Sequence, residues 1–93
     1  MVEAEVTIRN RAGLHTRPAA TLVKLAAKFR SEFYINKDGM EINGKSIIGV
    51  MTLAAECGSK LTLQFEGPDE QDALAAMKEL FYRGFDEELG IIS

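Results

Sequence analysis

The stretch Asn10-Arg11-Ala12-Gly13-Leu14-His15-Thr16-Arg17-Pro18-Ala19-Ala20 holds the single histidine of this 93-residue chain, with an arginine two residues after it. An imidazole nitrogen is a nucleophile, and a guanidinium presents a planar fork of donors that suits phosphate. The pair points to phosphoryl transfer onto His15. The setting supports that chemistry. Pro18 fits a helix only in the first turn, where its missing N–H costs nothing. Beyond it Ala19, Leu22, Val23, Ala26 and Phe29 recur at helical spacing. His15 is therefore the expected N-cap, followed by Thr16, Arg17 and Pro18 as the first turn. A helix start offers free N–H groups and the positive end of the dipole, and so attracts an anion. An N-cap side chain accepts from the N–H two or three residues on. The third residue is Pro18, so the expected donor is the Arg17 N–H and the expected acceptor His15 Nδ1, held unprotonated. Against this stands the plainer role: a lone histidine at a helix start is more often a cap or a surface residue, and a His-x-Arg-Pro spacing is only a hypothesis.

Length and composition frame the site. Ninety-three residues suit one domain, over 1–93, with one modest core. Apolar residues at 46% and charged residues at 27% match a soluble globule. No apolar run approaches a membrane span, and no charged start leads into an apolar stretch, so neither membrane insertion nor a signal segment is expected. Cys57 is the only cysteine. It can build neither a disulfide framework nor a Cys-based metal site. No metal and no cofactor are expected, and a reduced, cytoplasmic setting fits. Charge is uneven. Between Val6 and Ser31 there is no acid, while Arg9, Arg11, Arg17, Lys24, Lys28 and Arg30 contribute six positive charges to a chain of net charge −3. The half around His15 is expected to be positive, which favours acidic partners and phosphate. Nucleic acid would compete for such a stretch, but no aromatics interleave with it and the chain is acidic overall, so no nucleic acid is expected.

The elements that must position His15 follow from periodicity. Val2, Ala4, Val6 and Ile8 alternate with polar residues as a first strand. Arg9 to Leu14 is the loop, and the first helix is expected from Thr16 to Phe29. Phe33 and Ile35 mark a second strand, Asp38-Gly39 a hairpin turn, and Met40 and Ile42 a short third strand. Ser46 reads as the N-cap of a short helix from Ile47 to about Leu53. Val50, Leu53 and Ala54 fall on one side of it, and Ile47, Ile48 and Met51 on another. A helix apolar on both sides is either fully buried or keeps one side for a partner, and composition alone favours burial. Leu61, Leu63 and Phe65 alternate as the fourth strand. Asp69 is the expected cap of a last helix whose buried stripe is Ala73, Leu74, Met77, Leu80 and Phe81, with Gly84 as its C-cap. Phe85 to Ser93 forms a short acidic-apolar tail. The order βαββαβα calls for an α+β fold with a four-stranded antiparallel sheet and three helices on one face.

Gly13-Leu14-His15-Thr16-Arg17-Pro18-Ala19-Ala20 closely resembles the active-site signature of the histidine-containing phosphocarrier (HPr) family of the bacterial phosphoenolpyruvate:sugar phosphotransferase system. Gly44-Lys45-Ser46-Ile47-Ile48-Gly49-Val50-Met51 is similar to the regulatory-serine motif of the same family. The resemblance runs along essentially the whole chain. It implies an open-faced β-sandwich and a monomer that carries phosphate rather than turning over as an enzyme. His15 would take a phosphoryl group from enzyme I, at the expense of phosphoenolpyruvate, and pass it to enzyme IIA components, with Arg17 stabilising the phosphate. Ser46, by itself no more than a helix cap, would be phosphorylated with ATP by HPr kinase/phosphorylase. Ala20, Lys24, Ile47, Ile48, Gly49 and Met51 would meet the partners. Two features depart from the commonest pattern. Ala54-Ala55 stands where many relatives have a glycine after the leucine, and the segment from Leu80 to Glu88 is more similar to the nitrogen-related paralogue. The alternative function is a regulatory interaction module that works through Ser46 and the apolar patch without forwarding phosphate.

Overall fold

Alternation along the strands decides which face of the sheet is buried. The computed structural model describes residues 1–91, with β1 at Val2–Thr7, α1 at Thr16–Ala26, β2 at Glu32–Lys37, β3 at Met40–Asn43, α2 at Ile47–Thr52, β4 at Lys60–Glu66 and α3 at Glu70–Tyr82. The strands form one sheet in the order β1-β4-β2-β3, each antiparallel to its neighbours. Val2, Ala4 and Val6 lie opposite Phe65, Leu63 and Leu61, and the first two rows continue through Phe33 and Ile35 of β2. One face is thus a continuous apolar layer. Its period-2 partners, such as Glu3, Glu5, Thr62 and Gln64, point to the open face. The three helices cover the apolar face, as the element order requires.

The core between the layers contains Phe33, Ile35, Leu61, Leu63 and Phe65 from the sheet, Leu22 and Ala26 from α1, Val50 from α2, and Met77, Leu80 and Phe81 from α3. Each large side chain buried there contributes about 1.5–3 kcal/mol. Phe33 and Phe65 stack with ring centroids 4.2 Å apart and planes 3° from parallel. Antiparallel register, which places the two residues directly opposite, imposes that stacking. The Asp38-Gly39 turn has φ of 51° and 85°, the pair of left-handed residues that matches the twist of a two-residue hairpin.

Three expectations need correction. The first helix ends at Ala26, not Phe29. Lys28 and Phe29 donate to the carbonyls three residues back, Leu25 and Ala26, in a tightened turn that leads the chain into β2 while Phe29 still packs on the core. Asp69 stands at the N-cap position of α3 but does not cap it. Its carboxylate accepts from the Arg30 and Ser31 N–H groups, at 2.8 and 2.9 Å, and from the Ser31 hydroxyl. Ser31 is fully buried, and its polar groups must find partners. The Ser31 hydroxyl, then the Arg30 N–H, outweigh desolvation and hold the Asp69 carboxyl below its ordinary value. Glu70, the first residue of α3, accepts from the Gly67 N–H at 3.1 Å and closes the turn that leads into the helix. Ala54, expected on the buried side of α2, is exposed, because it lies beyond the helix end with φ of 48°.

Candidate functional site

The loop before α1 is fixed by its own backbone. The Gly13 N–H donates to the Asn10 carbonyl at 3.1 Å, and the Asn10 Nδ2 amide donates back to the Gly13 carbonyl at 2.7 Å. Leu14 N–H reaches across to the Ala55 carbonyl at 2.9 Å. Gly13 has φ of +75°, and a Cβ there would lie 2.6 Å from the Ala55 oxygen, so the close approach needs glycine. His15 follows in an extended conformation as the N-cap, with its carbonyl accepting the Ala19 N–H at 3.0 Å. Pro18 is buried in the first turn, while Thr16 and Arg17 are exposed. The N–H groups of Thr16 and Arg17 have no carbonyl within the helix to reach.

The His15 ring does not cap the helix, contrary to the expected bond to the Arg17 N–H. Its Nε2 instead lies 3.0 Å from Glu87 Oε1. A charge-assisted bond to a carboxylate is the stronger of the two, and it draws the ring away from the helix axis. The same Oε1 accepts from Asn10 Nδ2 at 3.0 Å. Burial pushes the Glu87 carboxyl up, but the Asn10 and His15 hydrogen bonds and the charges of His15 and Arg17 outweigh it and hold the group below its ordinary value. Glu87 is therefore an ionised acceptor. Nε2 is then the donor, and in the neutral ring that tautomer leaves the lone pair on Nδ1. The nitrogen that faces away from this contact is the one expected to be unprotonated, but the ring is held by a residue from the far end of the chain rather than by its own helix.

The tail brings Glu87 there. Arg83, not Gly84, is the C-cap of α3; Gly84 after it is the left-handed stop at φ +63°, and Phe85 and Asp86 continue at 56° and 60°. Phe85 is buried and meets the Phe81 ring edge-on at 4.9 Å, which anchors this strained turn. Beyond it the chain runs antiparallel to the loop. Arg11 N–H donates to the Glu88 carbonyl at 2.7 Å, Gly90 N–H donates to the Arg9 carbonyl at 2.9 Å, and Asn10 pairs with Leu89. The recess beside His15 is lined by Arg11, Ala12 and Arg17 on one side and Asp86, Glu87 and Glu88 on the other. The positive surface expected around His15 is accordingly met by three acids that the sequence places more than seventy positions away. Asn10 and Glu87 were not singled out by sequence reasoning. Their only local signals are an asparagine at the start of the loop and an acidic cluster in the tail.

Ser46 behaves as expected. Its Oγ accepts the Gly49 N–H at 3.1 Å, and its carbonyl accepts the Val50 N–H at 2.9 Å. Val50 and Leu53 fill the inner side of α2. Ile47, Ile48 and Met51 are 39%, 74% and 42% exposed, so the burial that composition favours is overturned and the outer side is an open apolar patch. A six-residue helix resting on the sheet can bury only one side. Helix α1 packs beside α2, with Ala20 half-buried and Lys24 exposed on it, and Gly49 half-buried between Asn43 and Ser46.

A family model described as "PTS HPr component phosphorylation site" matches residues 2–83. The chain belongs to the HPr family of the phosphotransferase system. It is 50% identical over 88 residues to the phosphocarrier protein HPr of Treponema pallidum, covering 95% of this chain and 100% of that protein. Among solved structures, HPr of Thermoanaerobacter tengcongensis superposes with a TM-score of 0.92 at 43% identity, covering 96% of this chain and all of the other. Crh of Bacillus subtilis, a catabolite-repression protein whose crystal structure is a dimer with a swapping domain, superposes at 0.73 with 40% identity, over 90% of this chain and 97% of that one. The open sheet with helices on one face is thus the HPr fold. The span matched by the family model ends at residue 83, before the turn that carries Glu87 to His15.

Proposed function

We propose that this HPr-family chain carries phosphate on His15 Nδ1, receiving it from enzyme I and delivering it to enzyme IIA components of a sugar phosphotransferase system. The observation that carries the reading is the half-exposed His15 ring at the start of α1, with its Nδ1 lone pair free, beside Arg17 and two unbonded helix N–H groups. A phosphoryl group on Nδ1 would meet a guanidinium fork and the positive end of the dipole. Thr16 and Pro18 shape that end. The exposed Ile47, Ile48 and Met51 patch, with Ala20, Lys24 and Gly49 beside it, is the docking surface in this reading. Ser46 is a second phosphorylation site for HPr kinase/phosphorylase. Its phosphate would place charge next to the patch. Residues 1–93 act as one domain, as a monomer, in the cytoplasm.

The test is incubation with enzyme I and phosphoenolpyruvate followed by intact mass. One added phosphate, stable in base and labile in acid, is the expected result; an unchanged mass refutes the carrier role. The likeness to Crh favours one second reading, a regulatory module that works through Ser46 and the patch. Uptake of phosphate from ATP and the kinase, with none from enzyme I, would support it. Sedimentation at micromolar concentration checks the monomer against a swapped dimer.

A further inference from the structure

We propose that Glu87 is a positioning residue for phosphoryl acceptance, holding the His15 ring by Nε2 and balancing the charge that the ring acquires. The proposal rests on the carrier reading above. Its basis is the arrangement of three side chains. Glu87 Oε1 receives the His15 ring at 3.0 Å and the Asn10 amide at 3.0 Å, and Asn10 is itself fully buried and bonded to Gly13, two residues before His15. The carboxylate is thus fixed against the same loop that fixes the histidine. Glu87 is also the most sheltered acid of the recess, with its side chain 18% exposed. Backbone pairing of Glu88 and Gly90 with Arg11 and Arg9 keeps it from swinging away.

The chemistry gives this contact a purpose. Nδ1 donates its lone pair to phosphorus, the Nδ1–P bond forms, and the donor's bond to phosphorus breaks with its electron pair staying on the donor. No proton moves. The ring keeps its Nε2 proton and becomes cationic, and the Glu87 carboxylate already faces that proton. A carboxylate behind an imidazole, on the nitrogen opposite the reacting one, sets both tautomer and orientation and stabilises the cation, as in serine hydrolases. When phosphate leaves for the next carrier, the charge is withdrawn and the same hydrogen bond remains. Glu87 lies on the opposite ring nitrogen from the incoming phosphate, so its charge does not block the nucleophile.

The experiment compares wild type, Glu87→Ala and Glu87→Gln as substrates of phosphorylated enzyme I, together with 15N NMR shifts of the two ring nitrogens. Glu87→Ala should accept phosphate roughly tenfold more slowly at saturation, the size of one charge-assisted hydrogen bond. The concentration giving half-saturation should stay within about twofold, because the loss is in the transition state rather than in docking. Its ring nitrogen shifts should move towards a mixture of tautomers. Glu87→Gln keeps an acceptor oxygen but no charge, so it should hold the Nε2–H tautomer and recover part of the rate. Equal rates and equal nitrogen shifts in wild type and Glu87→Ala overturn the proposal. So does faster uptake by Glu87→Ala, which would make the tail an inhibitory latch. A wild type that takes no phosphate from enzyme I removes the carrier reading, and this role with it.

Discussion

The start of α1 and the start of α2 use the same N-cap geometry for opposite ends. At Ser46 the side chain bonds its own helix, accepting the Gly49 N–H, and one orphan donor is satisfied locally. At His15 the side chain leaves its helix unbonded and turns to Glu87. A cap that serves its helix spends its acceptor on structure. A residue at the cap position that does not cap leaves both the helix N–H groups and one ring nitrogen open to a phosphoryl group. The start of α3 is a third solution, in which Asp69 holds the Arg30–Ser31 turn and Glu70 meets the Gly67 N–H. Three helix starts of one small chain thus differ in what their side chains are committed to: Ser46 to its own helix, His15 to the tail and Asp69 to the Arg30–Ser31 turn.

The largest effect expected is at His15. His15→Ala should abolish phosphate uptake from enzyme I while the protein stays folded; retained uptake, seen as added mass, would move the acceptor elsewhere. Arg17 comes next. Arg17→Ala should slow uptake roughly tenfold to a hundredfold, the range for a lost bond to a charged group, and shift stability by only about 0.5 kcal/mol because the side chain is exposed. Arg17→Lys should recover part of the rate, since an ammonium cannot form the bidentate fork. Rapid-quench kinetics that show no change in Arg17→Ala would detach it from the site.

Ser46 tests the other side of the comparison. Ser46→Ala should cost about 1 kcal/mol of stability by removing a cap, with uptake chemistry at His15 preserved. Ser46→Asp retains a capping acceptor and so should stay near wild-type stability. Its charge beside Ile47, Ile48 and Met51 should weaken binding to enzyme I, by a margin that shrinks as added salt screens it. Titrations at low and high ionic strength check this, and equal affinities at low salt leave Ser46 as a cap alone. Ala54, just past the same helix, sits at φ of 48°. A left-handed conformation costs a non-glycine residue about 1–2 kcal/mol, and glycine returns about 0.5–1 of that in unfolded-state entropy. Ala54→Gly should therefore stabilise by at most about 1.5 kcal/mol in urea melts; a loss of stability would contradict the strain.

The smallest expected effect is a pH dependence at the third helix start. The Asp69 carboxyl titrates lower when folded than its ordinary value of 3.8, through the Ser31 hydroxyl and Arg30 N–H. Its contribution is complete above that ordinary value and disappears as pH falls through the lower folded one. The urea midpoint of wild type should drop more steeply below about pH 4 than that of Asp69→Asn. Parallel curves would mean that the carboxylate adds no pH-dependent stability.

The order of elements, the buried faces of the strands, the hairpin turn, the placement of His15, Thr16, Arg17 and Pro18, and the Ser46 cap were all legible in the sequence. These depend on neighbours within a few residues: alternation, proline geometry, glycine turns and capping chemistry. Other features were decided by contacts between distant parts of the chain. The first helix stops at Ala26 because the chain must turn into β2. Asp69 abandons its helix because the buried Ser31 needs a partner. The outer face of α2 stays open because so short a helix can rest only one side on the sheet. The tail is the clearest case. In the sequence it reads only as a short acidic-apolar tail; in the fold Phe85 docks on Phe81 and the turn at Gly84–Asp86 sends Glu87 back to Asn10 and His15. Local periodicity places the histidine at its helix; only long-range packing supplies the carboxylate that selects which of its nitrogens is free.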